Sequence, residues 1–354
     1  MRNLACSWIP AVLVGVVLAS APSAQQIQPR AEDAKSLIAR SKVWIPVDIP
    51  AMDLRRGPAA AGAPESGATV TCDYLNKKLS GASPKFACRL ADGSELKVKY
   101  GGTNGEVYGE VAASRLLWAL GFGADHMVPV RVICRGCPES PGSIRRDNGE
   151  RILDPAAVEW KHAGRELAGQ WDWEDLDLVD ESAGGATRAE RDALKLLAVL
   201  LQHSDSKSKN QRLVCADDAD EGTSCQVPLM MIQDVGVTFG RANALNQQPG
   251  ASVNLANWSQ IAIWKDPQKC IGNLSGSWTG TLKQPVISEE GRRFLADLLS
   301  QLSDPQIRDL FDVARVHLRP RAPSDGRSGF ATADEWVAAF KEKRAQIVNH
   351  RCAA

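Results

Sequence analysis

The chain has 354 residues, 44% of them apolar, enough to bury a full core as one large domain or two lobes. Basic and acidic residues balance at 42 each. A chain with no net charge has no field to recruit nucleic acid or an anionic membrane surface, which sets those function classes aside.

In chain order, the first segment opens with the basic Met1-Arg2-Asn3, runs from Ile9 to Leu18 without a charge, and ends in small residues from Ala19 to Ala24. Basic, apolar, small is the order of a secretory signal peptide, expected over 1–24 with a cut near Ala24. Its apolar run is about half of what a bilayer span needs. Cys6 precedes that run, so it is not a lipid-attachment cysteine. No later stretch is long and apolar enough to span a membrane, so the expected product is secreted or periplasmic. Beyond the leader stand eight cysteines, an even number in a chain bound for an oxidising compartment, and disulfides are the expectation. Cys72 with Cys88 and Cys215 with Cys225 each bracket a short segment able to fold back on itself. Cys134-Arg135-Gly136-Cys137 has the spacing of a redox or zinc half-site, but no second such pair exists, so a structural role is expected.

Residues 25–66 are rich in Ala, Pro, Gly and Gln around one apolar patch, Val43 to Pro50, and read as a linker with a docked strand. Lys85–Leu90, the turn Ala91-Asp92-Gly93 and Glu95–Tyr100 form a β-hairpin signal. In its second strand Leu96, Val98 and Tyr100 face one side, Lys97 and Lys99 the other. A helix follows, with Asn104 as N-cap, Glu106 and Glu110 early, Val107, Val111 and Trp118 on its apolar side and Gly121 as its stop. Met127–Ile133 is another strand. After residue 150 the character turns helical, beginning in Trp-rich, acidic segments around Trp160 and Trp171–Trp173. The helices expected there are Arg188 to about Leu201, Glu289–Leu302 and Asp334–Val348.

The most informative loop follows the first of these helices. His203, Asp205, Lys207 and Asn210 stand in the form H-x-D-x-K-x-x-N, and twenty-four residues past Asn210, beyond the apolar run Pro228–Ile232, comes Asp234-Val235-Gly236. Phosphoryl transfer needs a carboxylate beside the attacking hydroxyl, a cation near the γ-phosphate and oxygen ligands for Mg²⁺. The two elements resemble the catalytic loop and metal-binding D-x-G of the protein-kinase-like superfamily. On that resemblance Asp205 is the base, Lys207 the cation, and Asn210 with Asp234 the metal ligands.

The N-terminal half extends the likeness. Glu110 follows the strand bearing Lys97 and Lys99, where such folds place the ion pair that holds the α and β phosphates, and Lys99, nearer the strand end, is favoured over Lys97. No G-x-G-x-x-G loop is present. Instead Ser80-Gly81-Ala82-Ser83-Pro84-Lys85 is similar to the short phosphate loop of HipA-like kinases, which adds Gly81 and Lys85 to the nucleotide side. Val237-Thr238-Phe239-Gly240 resembles the run that follows the superfamily's metal-binding aspartate. The order of motifs is similar to that of HipA-like, phosphatidylinositol-kinase-like and secreted Golgi-type kinases, over roughly Leu79 to Gly240. The resemblance implies an α+β, bilobal protein-kinase-like fold, with a small β-rich N-lobe over 67–150 and a larger helical C-lobe over 151–354. It further implies an ATP- and Mg²⁺-dependent phosphotransferase acting on a hydroxyl of a protein, sugar or lipid.

The long acidic segment between Asn210 and Asp234 (Asp217, Asp218, Asp220, Glu221) departs from the pattern and reads as a surface hairpin insertion. His162, His317 and His350 lack metal-ligand spacing, and neither G-x-S-x-G nor H-E-x-x-H occurs. Two other activities fit the same scaffold, a catalytically silent pseudokinase that binds a partner or ligand, and a nucleotidyl transferase.

Overall fold

The computed structural model describes residues 33–138, 149–167, 169–216, 224–240, 252–275, 280–322 and 325–352. The expected leader, the first residues of the expected linker and the acidic residues 217–221 lie outside them. The fold is α+β, within one compact unit, Glu32–Ala354.

The segment read as a linker packs onto the core. Helix α1 (Ala34–Ala39) is capped by Asp33, and Val43, Ile49 and Leu54 are fully buried. In place of a docked strand there are two isolated bridges, Lys42 to Leu229 and Trp44 to Phe122. Pro46 and Pro50 lack the N–H groups a continuous ladder requires.

Strands β1 (Thr69–Leu75), β2 (Lys85–Arg89), β3 (Glu95–Tyr100), β4 (His126–Cys137) and β5 (Gly149–Trp160) close into a barrel of order β1-β2-β3-β5-β4. β1 and β4 are parallel and the other pairs antiparallel. Strand alternation turns Phe86, Leu96, Val98, Val130 and Val158 into the barrel core. β5 pairs with both β3 and β4, so the boundary expected at residue 150 falls inside a strand and the β-rich part runs on to Trp160.

Helix α2 (Glu106–Ala119) lies between β3 and β4 in sequence. Asn104 accepts a hydrogen bond from the Glu106 amide at 3.2 Å, but the N-cap position itself is Gly105, one residue later than expected. Val107 and Val111 are buried as expected, whereas Trp118 is only half-buried and the supposed polar side is buried too. α2 packs against the barrel on one side and a C-terminal helix on the other, which leaves it no solvated face.

The remainder holds a three-stranded sheet, β6 (Arg165–Glu166), β7 (Gln211–Cys215) and β8 (Pro228–Ile232), in order β6-β7-β8. Around it stand α3 (Arg188–Leu201), α4 (Leu255–Gln260), the hairpin β9 (Trp264–Asp266) and β10 (Ile271–Gly272), α5 (Glu289–Ser300), α6 (Asp304–Val313) and α7 (Ala333–Val348). α3 begins in a reciprocal capping box of Thr187 and Glu190 and buries its apolar stripe against α5. The Trp-rich segment forms a 3₁₀ turn over Trp173–Leu178 in place of an α-helix, and Trp171 donates to the carbonyls of Arg212 (3.1 Å) and Met231 (3.2 Å), clamping β7 to β8. Phe239, Trp258, Phe311 and Trp336 form a contiguous aromatic core.

Among the described residues there are four disulfides: Cys72–Cys88, Cys134–Cys137, Cys215–Cys225 and Cys270–Cys352. The first joins β1 to β2, the third closes the β7–β8 hairpin, and the last ties the C-terminal segment to the β9–β10 turn. Among the described residues no helix is long and apolar enough to cross a membrane.

Candidate active site

A helix C-cap and a hairpin register assemble the site. α3 ends at Gln202 in the left-handed conformation (φ 55°), which turns the chain sharply into the loop holding His203 to Asn210. That loop feeds β7, and β8 returns antiparallel with Gln211 opposite Ile232, so Asn210 and Asp234 emerge side by side at the same end of the hairpin. The Asn210 carbonyl accepts from the amides of Gln233 (2.7 Å) and Asp234 (3.3 Å). The segment expected to be a surface hairpin insertion does form a hairpin, and it sets this spacing. Both its strands are buried, because they belong to the β6-β7-β8 sheet.

Within the loop, Lys207 is ion-paired to Asp205. The Asn210 amide nitrogen donates to the Asp205 carbonyl (2.7 Å) and carboxylate (3.2 Å), so the amide oxygen is the end that Asp205 does not engage. His203 is buried beside Trp173, and desolvation pushes its imidazole down to about 4, so it is neutral at ordinary pH.

Across from the loop, β3 and α2 present a buried charge cluster. Lys99 has no exposed side-chain surface and bonds Glu106 (2.7 Å) and Glu110, with Asp234 at 3.8 Å. Lys97 points to the same side but pairs with Glu159 of β5. Alternation put both lysines on one face, and the α2 carboxylates decide that Lys99 is the one drawn to Asp234. Glu106, which the sequence reading left out of the site, is a full member, since it also accepts from the Ser83 hydroxyl at 2.7 Å. Its position one turn before Glu110 on a single helix face was the available signal.

Three carboxylates surround one ammonium. Burial opposes charge on all of them. For Lys99, the carboxylates of Asp234, Glu110 and Glu106 outweigh that burial and raise its pKa well above the usual value. At Asp234 burial is overcome by Lys99 and a hydrogen bond with Glu110, which hold its carboxyl far below the usual range. Glu110 takes the opposite direction: burial, reinforced by Asp234 and Glu106, pushes its carboxyl well up despite Lys99. Glu110 Oε2 is buried with no hydrogen-bond partner.

The glycine of D-x-G is required by space. A Cβ on Gly236 would stand 2.7 Å from Glu106 Cγ and 2.9 Å from Glu110 Oε1. Its amide donates to Asp234 at 3.1 Å. Three residues on, Phe239 (φ 56°) donates its amide to the Leu201 carbonyl and anchors the loop in the aromatic core. On the barrel side, Gly81 adopts φ 91°, with the Lys85 ammonium lying where a side chain would be. Lys85 reaches Ser83 at 3.4 Å, and burial together with neighbouring Lys99 lowers its pKa.

Elsewhere, His350 Nε2 lies 3.2 Å from Cys270 Sγ, but that sulfur is bonded to Cys352. His162 stands on the chain leaving the barrel, where its amide donates to Asp125 at 2.8 Å.

No protein-family model and no curated protein matches the chain. Among solved structures, a Helicobacter pylori proinflammatory kinase, CtkA, is similar at 12% identity over 79% of this chain and 96% of that one, with a TM-score of 0.43. The Rio2 kinase in complex with ADP/Mg²⁺ and phosphoaspartate from Chaetomium thermophilum is similar at 13% identity over 69% of this chain and 70% of that one, with a TM-score of 0.30. Similarity at this level leaves the reading of the site to its own geometry.

Proposed function

We propose that the protein is a kinase-like phosphotransferase of bilobal architecture that transfers a phosphoryl group from a nucleoside triphosphate, ATP in the first instance, to a hydroxyl of a protein, sugar or lipid. The observation that carries this reading is the convergence of Lys99, Glu110, Asp234, Asn210 and Asp205 from separate elements onto one connected network. Lys99 and Lys85 supply positive charge for phosphates, and Asp205, half-buried and hydrogen-bonded by Asn210, is placed to accept a proton from an incoming hydroxyl. Lys207 holds the Asp205 carboxylate and adds a cation on the side from which the hydroxyl would approach.

An excess of carboxylate over ammonium, in an all-oxygen donor set, fits a hard divalent cation. Asn210 and Asp234 would hold Mg²⁺, which when bound neutralises phosphate charge. The four disulfides support a secreted or periplasmic setting.

The test is nucleotide binding with Mg²⁺ and in excess chelator, followed by transfer of label from γ-labelled and α-labelled ATP. Binding that requires the cation and is lost in Asp234→Ala supports the site, and γ-label transfer lost in Asp205→Ala by about 10²- to 10⁴-fold supports the base. Equal binding in chelator removes the metal assignment. Transfer of α-label means nucleotidyl transfer, and binding without either transfer leaves a silent binding module.

A further inference from the structure

We propose that Lys97 and Glu159 read the base of the nucleotide and favour guanine over adenine, an inference that rests on the nucleotide reading above. Register across the outer face of the barrel sets two rows of side chains. Lys85, Lys99 and Ala157 form one row, and Ala87, Lys97 and Glu159 form the other. Two residues separate the rows along each strand, about 7 Å. The first row ends at Asp234 and is the phosphate end.

The second row floors a groove of 430 Å³ that Leu79, Trp160 and Lys161 help to enclose. Ala87 contributes only a methyl group, which leaves room above it for a flat ring. Lys97 and Glu159 are ion-paired, with side chains 26% and 10% exposed. A wholly apolar groove would accept any base by burial and stacking. One with a largely desolvated charge pair in its floor discriminates, because a ligand edge that does not match the free Glu159 oxygen lone pairs and the remaining Lys97 N–H groups strips their water and gives nothing in return.

The matching edge follows from the inventory of donors and acceptors. A carboxylate only accepts and an ammonium only donates. Guanine offers two parallel donors, N1–H and the 2-amino group, to a carboxylate, with O6 beside them as an acceptor for the ammonium. Adenine presents the N1 lone pair where guanine has N1–H, which faces the carboxylate with repulsion. Exchanging the carboxylate for a carboxamide supplies a donor and an acceptor side by side, the combination that suits adenine.

The experiment measures equilibrium binding of GDP, inosine diphosphate and ADP, each with Mg²⁺, to the unmodified protein and to Glu159→Gln. The expected result is GDP tighter than ADP by about tenfold or more, with inosine diphosphate, which lacks the 2-amino group, several-fold weaker than GDP. In Glu159→Gln the GDP-to-ADP preference should fall at least tenfold. ADP equal to or tighter than GDP in the unmodified protein overturns the proposal. So does inosine diphosphate matching GDP, a comparison that needs no variant and stands even if Glu159→Gln fails to fold. All three binding equally removes base reading and leaves the proposed function intact, whereas none binding removes both.

Discussion

Replacing Lys99 by Met isolates the buried charge cluster. The substitution keeps most of the side-chain volume and deletes the one ammonium that Glu106, Glu110 and Asp234 share. Removing one partner of a buried, hydrogen-bonded pair costs about 3–5 kcal/mol, because the remaining charge is left uncompensated. That is a large share of the roughly 5–15 kcal/mol by which a domain is stable. Lys97→Met is the internal control: Lys97 faces a single carboxylate and keeps a quarter of its surface in water, so its loss should cost less. The penalty at Lys99 should also depend on pH. Asp234 has its folded pKa depressed, so its contribution to stability is present above the ordinary carboxylate range, near 4, and is lost as pH falls through its lowered value. Lys99→Met abolishes that contribution, so the difference between the two proteins should be largest near neutrality and shrink towards acid. Urea denaturation at pH 7 and pH 3 measures it, since the loss sets in only below about pH 4. A cost below 1 kcal/mol at pH 7, or one equal to that of Lys97→Met and flat with pH, would refute the account of Lys99 as the hub.

Gly236→Ala should destabilise by about 1–3 kcal/mol through overpacking against Glu106 and Glu110, both pinned by Lys99, and should weaken nucleotide binding; wild-type stability would mean that the D-x-G glycine has another cause. Among the eight cysteines beyond the expected leader, the unfolded, unreduced protein should show no reactive thiol, and Cys225→Ser should cost about 2–4 kcal/mol by opening the β7–β8 hairpin, as measured by thiol labelling and denaturation without reductant. Burial pushes His126 and His203 down to about 4. Both therefore stay neutral in the folded protein while the unfolded chain protonates near 6.5, so they contribute stability above that pH that is lost as pH falls from 6.5 towards 4. The double variant His126→Gln/His203→Gln should flatten the stability–pH curve in that window, and an unchanged slope would mean that neither imidazole is neutral in the fold.

Local pattern alone determined the hairpin of β2 and β3, the helices α5 and α7, the run from Arg188 to Leu201, and the motif residues of the loop. Each is written in nearest neighbours along the chain: alternation for a strand, a three-to-four repeat for a helix, a capping residue at its start. The same pattern placed Lys97 and Lys99 on one face but did not distinguish them, because the distinction lies in what stands opposite, Glu159 for one and the α2 carboxylates for the other. It placed Glu106 early in the helix without a role in the site, since only the fold brings Ser83 and Lys99 to it. α6 escaped notice, and residues 33–66 passed for a linker, because the apolar groups of that segment are spaced by contacts with distant elements and not by any local period. The boundary at residue 150 failed for the same reason: β5 is a strand by virtue of pairing with β3 and β4. Sequence specifies which side chains share a face; which faces meet is decided by closing the chain on itself, where burial makes one lysine a hub and leaves its neighbour, two residues away, at the edge of a groove.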